Sequence, residues 1–219
     1  MQLSPDRRLA GVLAPGFAIR SANDLGIGDV DSLRQLVDWA AEAGFGLVQL
    51  LPINETGSDN SPYMAVSSVA IEPTTIHVSP ESIPDLSRKE FDAMLSRIDL
   101  DRLRSGPVNY REIKPLKRSL LWKSFESFHK KELSRNTTRA RKFRAFMRDN
   151  FDWLDDYTLF RVLMDRNGSG ERWDLWPREQ MTAAAAHEWL LKEPRARWIG
   201  IDRQRKFYAY VQWIAFTQW

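Results

Sequence analysis

The chain has 219 residues, of which 43% are hydrophobic and 11% aromatic, so a buried core is expected and disorder is not. Its 32 basic and 29 acidic residues give a net charge of +3, an excess too small to suggest nucleic acid by itself. Zero cysteines exclude disulfides, thiolate nucleophiles and zinc fingers. The start of the chain lacks the apolar core of a signal peptide, and no apolar run approaches the roughly 20 residues of a membrane span, so we expect a cytoplasmic protein without a membrane partner.

The first fifty residues predict a strand, a helix and a second strand. The short apolar runs 9–14 and 47–51 are typical of buried strands. Between them lies an amphipathic helical pattern, for which Asp29 is a candidate N-cap and Gly44 suits the left-handed position after the end. A strand–helix–strand unit of this kind predicts parallel strands.

A polar loop that carries a single aromatic residue follows the second strand. It contains Asp59, Ser61 and Tyr63, and Pro62 restricts its conformation. Ligands of parallel sheets bind at the carboxyl ends of strands, and a phenol held there suits stacking on the apolar face of a sugar ring. Two other interpretations stay open: Asp59 closes an Asx turn, or Tyr63 packs on the rim.

Helices dominate the predictions for the rest of the chain, after one strand-like segment at 74–78. We expect a short helix over 89–98, a long one opening at Tyr110, another after a break at 134–136, one through 153–164 and one over 178–192. A loop is expected over 192–203, with a short strand at Trp198-Ile199 as the alternative, and a buried helix over 207–219. The nine tryptophans are expected in the core more often than on a ligand platform. Two parallel strands cannot cover their own edges, so the pattern predicts the first part of something larger.

The sequence gives only weak signals for a metal site, an acid/base pair or a phosphate-binding loop. The three histidines are far apart and lack metal-ligand spacing. We expect His129 and His187 to be solvated and His77 to face away from the buried side of its segment. The adjacent carboxylates Asp155 and Asp156 lie on a helical pattern and are expected to be a solvated pair. No phosphate-binding loop is found, and no cofactor or metal is predicted.

Short motifs occur in an order and at distances that together resemble the N-terminal third of 4-α-glucanotransferases (amylomaltase or disproportionating enzyme, glycoside hydrolase family 77). They are Gly26-Ile27-Gly28-Asp29, Val37-Asp38-Trp39-Ala40, Gln49-Leu50-Leu51-Pro52, Ser61-Pro62-Tyr63, Val108-Asn109-Tyr110, Trp153-Leu154-Asp155-Asp156-Tyr157, Trp173-Asp174-Leu175-Trp176-Pro177, Gln212-Trp213 and Gln218-Trp219. The resemblance covers nearly the whole chain. Two residues depart from it: Val48 replaces a frequent Trp, and Asn109 replaces a frequent Asp.

The resemblance implies an α/β fold: the first βαβ part of a (β/α)₈ TIM barrel with a large inserted helical subdomain, the barrel being incomplete in this chain. It implies that residues 1–80 start the catalytic barrel, that 81–203 form the mainly helical inserted subdomain, and that 204–219 form a helix returning to the barrel.

The resemblance also implies transfer of α-1,4-glucan segments between maltodextrins, with retention and without a cofactor. In that chemistry one carboxylate attacks and a carboxylic acid protonates the leaving group. Tyr63 matches the family tyrosine that stacks under the glucose at the cleavage point, and Ser61 and Asp59 match its neighbours. The family's catalytic acids would lie past Trp219, so we assign no catalytic residue in this chain.

Two other classes of function stay open. One is a catalytically dead glucan-binding or partner-binding module that keeps the Tyr63 platform. The other is a nucleic-acid binder that uses the basic residues of 111–148, although no nucleic-acid signature accompanies them.

Overall fold

The computed structural model describes residues 8–168 and 170–219. The first seven residues, part of the segment predicted to lack a signal peptide, lie outside that description. Within these ranges it contains two strands and eight α-helices. They are β1 (Gly11–Ala14), α1 (Val30–Glu42), β2 (Leu47–Leu50), α2 (Arg88–Leu95), α3 (Leu100–Ser105), α4 (Tyr110–Lys131), α5 (Thr138–Asp149), α6 (Phe151–Arg166), α7 (Ala183–Lys192) and α8 (Arg195–Gln218).

The strands β1 and β2 form a parallel sheet, which confirms the predicted pairing. The expected burial of these strands is wrong for the described residues. Leu13 is 58% exposed and Leu47 is 42% exposed. The physical reason is that the sheet has only two strands in the part of the chain that the structure describes, so its faces and edges lack the cover that further strands would supply.

The ends of α1 are fixed as the sequence predicts. The Asp29 carboxylate accepts hydrogen bonds from the backbone N–H groups of Asp31 and Ser32, both at 3.1 Å. At the other end Gly44 has φ +80°. There the Phe45 N–H donates to the Ala40 carbonyl at 2.9 Å, the six-to-one bond of a Schellman motif. Local capping chemistry therefore sets where this helix begins and ends.

The core lies among α4, α5, α6 and α8 and is strongly aromatic. Phe128 lies 5.4 Å from Phe143 and 5.1 Å from Tyr210, measured between ring centroids. These rings pack in edge-to-face and tilted pairs, which aromatic quadrupoles favour. The predicted buried final helix is confirmed over much of its length, since Phe207 to Gln212 are all buried.

Two predictions in the second half of the chain are wrong in their boundaries. The segment expected to be a loop over 192–203 is helical from Arg195, because Pro194 precedes the first turn and Gly200 is tolerated inside the helix. The helix expected over 178–192 is divided into a 3₁₀ turn, Arg178–Gln180, and α7, which Thr182 caps. The division into three regions at 80/81 and 203/204 stays a prediction.

The predicted strand at 74–78 is also wrong, since Pro73–Thr75 is a single 3₁₀ turn and the residues that follow form no ladder. Side chains replace the missing strand partner. The Lys117 ammonium donates to the carbonyls of Thr74 at 2.5 Å and Ile76 at 2.9 Å. The Gln218 amide pairs with both backbone groups of His77, at 2.8 and 2.9 Å. The segment 74–78 has the composition of a strand, but its backbone groups bond to side chains instead of to a neighbouring strand.

A second glutamine of α8 acts in the same way. The Gln212 Oε1 accepts from the Ile71 N–H, and its Nε2 donates to the Ile71 carbonyl, both at 2.9 Å. This side chain is fully buried. Helix α8 therefore holds the segment 71–77 at two points through backbone-like amide pairs.

None of the helices in the described part of the chain has the length and apolarity needed to cross a bilayer.

We expect Gln212→Leu to lower the free energy of unfolding by about 2–4 kcal/mol, because it leaves the buried N–H and C=O of Ile71 without partners. Chemical denaturation measures this loss. Gln35→Leu on the exposed face of α1 is the matched control and should change stability by less than about 0.5 kcal/mol. A Gln212→Leu loss no larger than that of the control would contradict this assignment.

Buried Lys117 makes stability depend on pH. Burial lowers the pKa of its ammonium group from 10.5 to about 8, although the negative charges of Asp29, Asp24 and Glu72 act to raise that pKa. Between these two values the unfolded chain binds more protons than the folded one, so the Lys117 contribution to stability rises with pH. Relative to Lys117→Met, the wild type should gain roughly 1–3 kcal/mol over that range. Unfolding midpoints at pH 8 and pH 10.5 test this, with exposed Lys123→Met on the same helix as the control. Parallel pH curves for wild type and Lys117→Met would refute it.

Candidate functional site

The loop after β2 folds back on itself, so that its two arms lie side by side. We call residues 52–72 the site loop. Isolated antiparallel bridges join Asn54 to Ile71 and Thr56 to Ala65. The Glu55 N–H donates to the Ala70 carbonyl at 2.9 Å, and the Glu55 carbonyl accepts from Val66 at 2.8 Å. The arms therefore present the residues between 57 and 64 as a tip.

The three predicted binding residues come together in a tight turn at this tip. The Asp59 carboxylate accepts from the Ser61 N–H at 3.1 Å, so the Asx-turn interpretation of Asp59 describes its geometry. The Ser61 hydroxyl accepts in turn from the Tyr63 N–H at 3.4 Å. Asn60, with φ +58°, provides the left-handed residue of the turn. Asp59 and Ser61 thus act first as supports for the backbone of Tyr63.

The Tyr63 side chain is 71% exposed. The interpretation in which this ring packs on the rim is therefore not seen. A phenol displayed on a turn that two side-chain hydrogen bonds and a proline restrict is preorganised for stacking. The roles of Tyr63, Ser61 and Asp59 in ligand binding stay a prediction.

The base of the site loop is anchored by a buried carboxylate that the sequence analysis did not single out. The Glu55 carboxylate accepts from the Tyr157 hydroxyl and lies 3.4 Å from the Arg161 guanidinium. The Gln212 amide also donates to the Tyr157 oxygen, at 3.2 Å. Burial raises the pKa of Glu55, although the charge of Arg161 opposes this. The contacts of Glu55 join the loop to α6 and α8.

A second set of contacts joins the two arms of the loop to each other and to α4. The Glu72 carboxylate accepts from the N–H and the hydroxyl of Thr56, both at 2.9 Å. The Lys114 ammonium donates to the Thr56 hydroxyl and to the Gly57 carbonyl, both at 3.3 Å. Both carboxylates near the base, Glu55 and Glu72, are thus buried and engaged.

The tip is also tied to a distant segment through Glu171. Its Oε1 accepts from the Ser58 hydroxyl at 2.7 Å and from the Ser58 N–H at 3.3 Å. The hydrogen bond from Ser58 lowers the pKa of this carboxyl group. Glu171 directly precedes the turn 172–177, which we call the aromatic turn. The sequence held no signal for this contact, because 113 positions separate the partners.

Two clefts flank the site loop. The first cleft, of about 540 Å³, lies between the loop base and α4, α6 and α8, and the charged residues Glu55, Lys114 and Arg161 are part of its lining. The aromatic cleft, of about 420 Å³, lies between residues 66–68 of the loop, α6, the aromatic turn and the start of α7. Both volumes fall in the range of roughly 300–1,000 Å³ found for ligand sites.

The histidine predictions are partly wrong. His77 faces the buried side, where its Nδ1 lies 2.9 Å from the Asp29 carboxylate. His129 is half-buried, and that burial lowers its pKa. His187 Nε2 lies 2.7 Å from Asp156 and 3.4 Å from Asp155, so these two acids are paired rather than simply solvated.

The ligand atoms of Asp155, Asp156 and His187 lie within 4.8 Å of one another, which is close enough to hold a metal. Arg205, however, bonds the Asp155 carboxylate. A guanidinium at this position already neutralises the acid, so we assign no metal to the cluster.

The sequence model of the family described as 4-alpha-glucanotransferase matches residues 14–219. A 4-alpha-glucanotransferase of Chlamydia pneumoniae is 30% identical over 213 residues, which are 95% of this chain and 37% of that protein. The 4-alpha-glucanotransferase DPE2 of Oryza sativa subsp. japonica is 35% identical over 165 residues, 72% of this chain and 16% of that protein.

Solved structures similar in fold include an amylomaltase from Streptococcus agalactiae in complex with acarbose. Its TM-score is 0.68 at 21% identity, with 97% of this chain and 40% of that chain covered. At this identity the likeness concerns the fold alone. The chain spans 37% of the length of the Chlamydia pneumoniae relative.

We expect Asp59→Ala to loosen the turn that holds Tyr63, because the Ser61 amide loses its acceptor. Exchange of the Ser61 amide hydrogen, measured by NMR, should become about 2–10 times faster. Asp38→Ala on the exposed surface of α1 should leave this rate unchanged. An unchanged rate in Asp59→Ala would show that the turn holds without the carboxylate.

Proposed function

The chain belongs to the 4-alpha-glucanotransferase family, and from this membership we propose that it is the N-terminal portion of an enzyme that transfers α-1,4-glucan segments between maltodextrins. The observation that carries the proposal is the family match over residues 14–219. We propose that the reaction proceeds with retention through a covalent glycosyl-enzyme and needs no cofactor. Such a mechanism requires a nucleophilic carboxylate and a carboxylic acid about 5–5.5 Å apart.

We place the catalytic acids outside this chain, on further strands of a (β/α)₈ barrel of which β1 and β2 are the first. Three observations support this placement. The chain spans only 37% of the Chlamydia pneumoniae relative. The faces of β1 and β2 carry exposed leucines, Leu13 and Leu47, which suit cover by more polypeptide. The carboxylates nearest the site-loop base, Glu55 and Glu72, are buried and already hydrogen-bonded.

The role we propose for Tyr63 is a platform under one glucose ring at the cleavage point. Its exposure leaves a ring face free for the apolar C–H face of a sugar. Asp59 and Ser61 hold the backbone of the turn, so little conformational entropy is lost when the ring receives its ligand. This support makes them positioning residues for Tyr63.

We further propose a cytoplasmic location, an α-1,4-glucan as the substrate partner, and neither nucleic acid nor a membrane as a partner. The absence of cysteine favours a reducing compartment.

A second candidate function is a catalytically dead module that binds glucan or a partner protein. Such a module would also keep the Tyr63 turn and its supports, but the coverage of only 37% of the Chlamydia pneumoniae relative favours the N-terminal portion of a longer enzyme. The two functions differ in one respect: only the enzyme transfers glucosyl units when the polypeptide is complete.

The test is made on the polypeptide encoded by the full reading frame. With maltotriose as the only substrate, we expect glucose and longer dextrins, separated and quantified by chromatography. Tyr63→Ala should lower kcat/KM about 10- to 100-fold, the loss expected for one stacking contact, and Tyr63→Phe should stay within a few-fold of wild type because it keeps the ring.

The negative results are equally informative. If the frame stops after Trp219, or if the complete polypeptide forms neither glucose nor longer dextrins, the transferase proposal fails and the binding module is favoured. If Tyr63→Ala is as active as wild type, the platform role of Tyr63 is refuted and the transferase proposal remains.

A further inference from the structure

The aromatic cleft lies beside the site loop and has no part in the function proposed above. Its wall on the loop side is Val66, Ser67 and Ser68. Val66 follows Tyr63 by three residues, so their Cα atoms are at most about 11 Å apart. The remaining walls come from α6, the aromatic turn and α7. The cleft is thus continuous with the Tyr63 loop and separate from its tip.

Five aromatic side chains contribute to the other walls of this cleft. They are Trp153, Tyr157, Phe160, Trp173 and Trp176. Two of them have different environments although they share one turn. Trp176 is 6% exposed and its indole N–H donates to the Gly170 carbonyl at 3.2 Å, whereas Trp173 is 54% exposed. Trp176 therefore anchors the aromatic turn, and Trp173 offers an indole face to solvent at the cleft.

The lining of the aromatic cleft also contains polar atoms that can make further hydrogen bonds. Asp156 uses Oδ1 for His187, and Gln180 uses Oε1 to accept from Asn167 at 2.8 Å. Within residues 8–168 and 170–219, Asp156 Oδ2 and Gln180 Nε2 have no hydrogen-bond partner. One is an acceptor and the other a donor, so the cleft matches a neutral ligand that carries both kinds of group, as hydroxyls do.

We propose that the aromatic cleft is a second saccharide-binding site, with Trp173 as its stacking platform and Asp156 and Gln180 as its hydrogen-bonding groups. The choice of an α-glucan as the ligand rests on the proposed function. An aromatic face for C–H groups, an acceptor and a donor for hydroxyls, and a volume of about 420 Å³ describe a site for a sugar ring.

The location gives the second site a distinct consequence. The tip of the loop and the aromatic turn are close together, because Ser58 bonds Glu171, two residues before Trp173. On this proposal a long maltodextrin that stacks on Tyr63 also contacts Trp173, and its second contact is then intramolecular. A short one engages a single platform. The aromatic cleft therefore favours long chains over short ones, while Tyr63 contributes to the binding of both.

The test titrates the 219-residue chain with maltoheptaose and with maltotriose, by calorimetry and by tryptophan fluorescence. Trp173→Ala should weaken maltoheptaose binding about tenfold, the expected loss of one stacking contact, and should change maltotriose binding by less than about twofold. Tyr63→Ala should weaken the binding of both sugars. Trp198→Ala, which removes an exposed tryptophan of α8 that lines neither cleft, is the matched control and should behave as wild type.

Two further variants separate binding from folding. Trp173→Phe keeps an aromatic face and should restore most of the maltoheptaose affinity, and Gln180→Ala should weaken it without removing any aromatic ring. Circular dichroism verifies that each variant is folded.

Three results would overturn the proposal. One is wild-type maltoheptaose affinity in Trp173→Ala. Another is complete loss of maltoheptaose binding in Tyr63→Ala with no effect of Gln180→Ala, since a single site at Tyr63 would then explain the data and the proposed function would remain. The third is no binding of either sugar by the wild-type chain, in which case the transfer assay alone decides the proposed function.

Discussion

The geometry of the site loop depends on one buried carboxylate. Glu55 pairs through its backbone with Ala70 and Val66, and through its side chain with Tyr157 and Arg161. Taking a carboxylate out of water is costly, and its hydrogen bond and cation offset that cost only while both are in place. Loss of Arg161 would leave the buried carboxylate without its cation, and loss of Tyr157 would leave it without its hydroxyl donor. Residues of α6, about a hundred positions away in the sequence, therefore anchor the base of the loop that carries the Tyr63 turn.

Side-chain amides and one ammonium take over the role of a neighbouring strand for the segment 71–77. Buried backbone groups need partners, and a sheet normally supplies them. Here Gln212, Gln218 and Lys117 supply them instead. These three side chains reach from helices to the backbone of the segment, so the helices pack directly against extended backbone.

What the sequence predicted correctly is local. The N-cap at Asp29, the left-handed Gly44 and the parallel βαβ unit all follow from neighbouring residues. The turn at Asp59 to Tyr63 is equally local, and its geometry matches one of the two interpretations given for Asp59. The bond of Glu171 to Ser58 and the walls of both clefts join distant parts of the chain, so propensity and periodicity hold no information about them. The strand predicted at 74–78 failed for the same reason, because its partners are side chains of distant helices.

The glutamine pairs of α8 also constrain the order of events during translation. Ile71 and His77 each lie 141 positions before the glutamine whose side chain bonds their backbone groups. At synthesis rates of about 5–20 residues per second, their backbone groups wait roughly 7–30 s on the ribosome before α8 emerges. Until then the amides and carbonyls of these residues are accessible to water and to chaperones. The arrival of α8 is therefore the step that converts the nascent segment into buried structure.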